Sequence, residues 1–75
     1  MNTKDQQLLL ETDSFVKEEK KFTLKILQNL KIIDAKKLFV ELGYSSLFEY
    51  CKEHLHYSDQ EAAIRVNAMR LMRDL

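Results

Sequence analysis

Apolar positions in the second half of the chain recur at helical spacing between clear start signals. Leu47, Phe48, Cys51 and Leu55 form one stripe edged by Tyr44 or Tyr50, and Ser46 with Glu49 three residues later makes a capping box at its start. Ser58 with Glu61 repeats the device, so a last helix is expected to run from there towards the C-terminus, with only His56 and Tyr57 in the turn. Gly43, the single glycine, suits the left-handed position that closes a preceding helix.

At 100° per residue, Ala62, Val66, Met69 and Met72 cover one side of that last helix, while Ile64, Ala68, Leu71 and Leu75 cover most of the other. The polar strip is narrow, through Gln60, Asn67, Arg70 and Asp74. A terminal helix normally needs one apolar stripe. Two stripes imply a central helix or burial by another chain, most simply a twofold copy, with Ile64, Ala68, Leu71 and Leu75 as the expected dimer interface.

Towards the N-terminus, the polar residues 1–7 are expected to fray. Leu8, Phe15 and Phe22 then recur at intervals of seven, with Leu9 matched by Val16, which predicts a helix with one apolar seam. Thr23 can cap a new helix or sit inside a long one, and the reading adopted is a break. Leu24, Ile26, Leu27, Leu30 and Ile33 supply a second helix, and Asp34 caps a short third over residues 35–42, carrying Leu38, Phe39 and Leu42. The expectation is an all-α chain, one domain over residues 1–75, folded as a compact bundle of about five short helices with the last two in a helix-turn-helix-like arrangement.

Composition narrows the class. The chain has 75 residues, 45% hydrophobic and 32% charged, with no proline, so little interrupts helix and one small core is all it can build. No apolar run exceeds three residues, far below the roughly 20 of a membrane span, and no signal peptide is visible, so a cytoplasmic protein is expected. The lone Cys51 sits on an apolar stripe and reads as a core residue in a reducing compartment.

Helix, short turn and helix is also the spacing of a DNA-reading helix-turn-helix, with Ala62 and Val66 facing inward. A plain helical hairpin uses the same caps. Charge is zero overall but unevenly placed. Residues 17–37 hold seven lysines against Glu18, Glu19 and Asp34, net +4; residues 38–63 hold Lys52 against five carboxylates, net −4; the end is net +2. The reading helix would start with Asp59-Gln60-Glu61, which suits the helix dipole and repels DNA. Contacts to DNA would therefore be to phosphates, with Lys20, Lys21, Lys36, Lys37, Arg65 and Arg70 as candidates.

The run LGYSSLFEYCKEHLHYS followed by EAAIRVNAMRL, together with LLLETDSFVKEEKKFTLKILQNLKIIDAKKLFVELG upstream, resembles the helical module found ahead of the nuclease domain in bacterial HNH endonuclease-type proteins. The resemblance covers nearly all 75 residues. Three positions depart from that pattern. His56 stands where a second glycine is expected, Ile64-Arg65 replaces two adjacent arginines, and the chain ends at Leu75 before any nuclease motif. The resemblance thus implies a DNA-associated accessory module rather than the enzyme.

Other chemistry finds little footing. His54 and His56 would point about 200° apart on a helix and have no matching ligand set, one glycine cannot build a phosphate loop, and Glu49 with Glu53 is an ordinary helix-face pair. No catalytic residue, cofactor, metal or small-molecule substrate is expected. The chain reads as a non-enzymatic helical interaction module, DNA-associated and self-associating through its C-terminal helix. The competing reading is a protein-binding adaptor with no nucleic-acid role.

Overall fold

The computed structural model describes residues 1–72, and its first half is one helix. α1 runs unbroken over Thr3–Lys36, 34 residues and therefore about 51 Å, which matches the 53 Å long axis of the molecule. The expected break at Thr23 is absent. A threonine inside a helix can return its hydroxyl to the backbone, as Thr12 does to the Leu8 carbonyl at 2.8 Å, and no glycine or proline interrupts residues 3–36. Residues 3–7 belong to the same helix, which Asn2 caps, its side chain accepting the Asp5 N–H at 2.8 Å.

α1 ends where Lys37 turns left-handed at φ 51°, its N–H returning to the Asp34 and Ile33 carbonyls. The predicted cap at Asp34 is thus displaced by three residues, and the next short helix, α2, is only Leu38–Glu41. Gly43 takes the positive φ expected of it, at 91°. Ser46 then caps α3, Leu47–Glu49, which continues without interruption into a π-helical segment, Tyr50–His54, closed by the Leu55 N–H on the Tyr50 carbonyl at 3.2 Å. His56 turns the chain at φ 61°, where glycine would be less strained, and Ser58 caps α4, Asp59–Leu71.

Among the described residues there are therefore four helices and no strand, so the chain is all-α. It is not a compact bundle of five. The radius of gyration is 16.5 Å, against about 11 Å for a compact chain of this length. Among the described residues, only the C-terminal half of α1 meets the other helices. Leu30 packs there with Phe39, Leu47, Cys51, Ala62, Val66 and Met69 to make the buried core, flanked by half-buried Ile26, Leu27, Ile33, Tyr44, Tyr50, Leu55 and Tyr57. The Lys31 ammonium also donates to the Met72 carbonyl at 2.9 Å, tying α1 to the end of α4. The inward face predicted for α4 is the one buried, at Ala62, Val66 and Met69. Cys51 is fully buried, and burial raises its thiol pKa, which keeps it in the unreactive form.

Candidate functional site

The feature that the fold leaves open is the N-terminal half of α1. Every residue from 3 to 22 is exposed. On this stretch Leu8, Leu9, Phe15, Val16 and Phe22 lie within one stripe about 140° wide at 100° per residue, and they are 62%, 52%, 64%, 42% and 58% exposed. The accessible surface totals 6226 Å², against about 4,800 Å² for a compact monomer of 8.9 kDa, so the projecting helix accounts for a large excess. Contiguous exposed apolar stripes of this kind are uncommon on monomers.

The seam does not stop at Phe22. One turn further on, Ile26 lies on the same stripe and forms one wall of a half-open groove of about 290 Å³, completed by Asn29, Leu30, Ile33, Tyr50, Leu55 and Tyr57. The sequence shows the heptad Leu8, Phe15, Phe22 plainly. It does not show the groove, because Leu55 and Tyr57 reach it only through the π-helical segment, whose extra residue per turn rotates the positions after it. Three charged residues interrupt the stripe, Lys4 and Asp5 near its start and Glu19 at its centre.

The residues expected at a dimer interface divide. Ile64 is 55% exposed and Leu71 83%, whereas Ala68 is half-buried and Leu75 lies outside the described residues. The N-terminal seam does not cover Ile64 or Leu71, because that seam is carried away along α1.

The candidate phosphate contacts on α1 fall into two separate pairs. Lys20 and Lys21 lie on the projecting part of α1, while Lys36 and Lys37 close its far end, about 24 Å further along the axis. Arg65, half-buried, lies with its guanidinium 5.8 Å from the centre of the Tyr57 ring, and Arg70 is exposed on the last turn of α4. At the start of α4, Asp59 Oδ1 is 3.1 Å from Lys52 Nζ, and this hydrogen bond holds the Lys52 pKa above its ordinary value. Both side chains are exposed, so the pair contributes little to stability.

The caps that set these helices keep to the predicted chemistry with one change. Ser46 Oγ accepts the Glu49 N–H at 3.0 Å, but the Glu49 carboxylate reaches one residue further back than expected, taking the N–H of Ser45 at 3.0 Å and its hydroxyl. Those two bonds, the hydroxyl first, lower the Glu49 pKa. Tyr44, Tyr50 and His54 form an aromatic cluster on the same corner, His54 stacked on Tyr50 at 5.1 Å and its Nδ1 3.4 Å from the Tyr44 hydroxyl. Among the described residues no group of three histidine, cysteine or carboxylate side chains is placed to hold a metal, and no helix is long and apolar enough to cross a membrane.

Compared with models of known protein families, with curated proteins and with solved structures, the chain matches none. The functional reading therefore rests on the geometry.

Proposed function

We propose that this chain is a non-enzymatic helical interaction module that self-associates through the apolar seam of α1. The observation that carries this reading is the exposure of Leu8, Leu9, Phe15, Val16 and Phe22 along one face of the N-terminal half of α1, which has no other described element beside it. Amphipathic helices in proteins draw most of their stability from packing of the apolar face. The α4 stripe of Ile64, Ala68 and Leu71 offers fewer large side chains, so it is the lesser surface.

Magnitudes set the expected strength. Full burial of such a side chain contributes roughly 1.5–3 kcal/mol, and these five are about half exposed already, so two copies gain on the order of 10 kcal/mol. Association costs about 4–15 kcal/mol. The two nearly balance, which describes a reversible, concentration-dependent dimer rather than an obligate one.

Sedimentation from low to high micromolar concentration tests the reading, with Phe15→Glu and Leu71→Glu as perturbations. The expected result is a monomer–dimer equilibrium abolished by Phe15→Glu and little changed by Leu71→Glu, both variants keeping their helical circular dichroism. A folded monomer at every concentration would overturn it, and loss of the dimer with Leu71→Glu alone would move the interface to α4.

A further inference from the structure

Resting on the self-association reading, we infer that two copies pair antiparallel along α1, about a twofold axis at Phe15, with the start of each helix reaching the groove beside Ile26 of the other. Three independent features favour this geometry. Charge divides α1 about that point. Residues 3–13 carry Lys4 against Asp5, Glu11 and Asp13, net −2, while residues 17–25 carry Lys17, Lys20, Lys21 and Lys25 against Glu18 and Glu19, net +2. An antiparallel pair lays the acidic stretch of each copy beside the basic stretch of the other, whereas a parallel pair lays like beside like.

Spacing is the second feature. Leu8 and Phe22 lie seven residues either side of Phe15, so a twofold axis there faces Phe15 with its own copy and sets each Leu8 level with a Phe22. The third is the groove. This register brings residues 1–4 of the second copy to the level of residues 26–29, where the groove of about 290 Å³ opens, lined by Ile26, Asn29, Leu30 and Ile33 from α1 and by Tyr50 and Tyr57 from across it. Met1, 81% exposed, is the apolar side chain that this register delivers to it. A parallel pair leaves both the groove and Met1 uncovered.

Pulsed electron–electron distance measurement on the full chain distinguishes the arrangements. A nitroxide is attached at Gln7→Cys, off the apolar stripe, under native conditions, where buried Cys51 stays unlabelled, with one label per chain verified by mass. Antiparallel pairing about Phe15 separates the two Gln7 positions by 16 residues of helix, about 24 Å along the axis. Mixing Gln7→Cys chains with Lys25→Cys chains should add a distance on the order of 15 Å, because those positions differ by two residues in level. A short distance between two Gln7 labels would overturn the antiparallel geometry while leaving self-association intact. Absence of any dipolar signal, with a monomer by sedimentation, would overturn both.

Discussion

Ser58 Oγ accepts the Glu61 N–H at 3.1 Å and donates to the Glu61 carboxylate at 3.2 Å, so this one hydroxyl both caps α4 and orients an acidic side chain of its opening turn. α4 supplies three of the seven core residues, so its start matters to the whole fold. Ser58→Ala should cost about 1 kcal/mol and lower the thermal midpoint by roughly 4–8 °C, measured by circular dichroism. An unchanged midpoint would mean that α4 does not depend on this cap.

Glu49 gives a pH signature. Its carboxylate is held below the ordinary glutamate range by the hydroxyl and N–H of Ser45, so its contribution to stability is present above the unfolded value of about 4.3 and lost as pH falls through the lower folded value. Glu49→Gln should therefore lie below the wild type in melting midpoint near neutral pH, with the gap closing as pH drops below about 4.3. A gap that is constant down to pH 2 would show that the charge on Glu49 is not what holds Ser45.

Glu19 sits at the centre of the seam between Val16 and Phe22, where a second helix would cover it. A carboxylate taken out of water without a partner is costly. Glu19→Leu should tighten self-association about tenfold or more, equivalent to at least about 1.4 kcal/mol, read from the sedimentation isotherm. Unchanged or weaker association would place Glu19 outside the interface.

Nucleic acid is another candidate partner, and the placement of the cations sets the expectation for it. Arg65 lies over Tyr57, Lys52 is bonded to Asp59 at the start of α4, and the lysine pairs are about 24 Å apart. Any duplex binding at low salt should be indifferent to sequence, fall steeply as salt rises, and weaken with Lys20→Glu and Lys21→Glu. Sequence-dependent binding that survives physiological salt would restore α4 as a reading helix.

The sequence carries much of this fold locally. The serine caps, the positive φ at Gly43, the burial of Cys51 and the inward face of α4 all come from residue type and spacing over a few positions. What escapes it depends on context. Thr23 is chemically able to start a helix or to sit inside one, and only the surrounding chain decides. Lys37 adopts a left-handed φ that lysine does not advertise, so the α1 boundary is invisible at that position. The π-helical segment adds a residue to one turn, and no periodicity argument anticipates it. The seam of Leu8, Phe15 and Phe22 is legible as a pattern, but whether the chain covers it from within is settled only by the continuity of α1.

Amide hydrogen exchange, compared at low and high protein concentration, tests the central claim most directly, because residues 8–22 are all exposed among the described residues while residues 47–51 and 62–69 hold the core. Self-association through α1 predicts fast exchange across residues 8–22 in dilute protein and marked slowing as concentration rises, with the core amides changing little. Exchange across residues 8–22 that stays equally fast at both concentrations would contradict it.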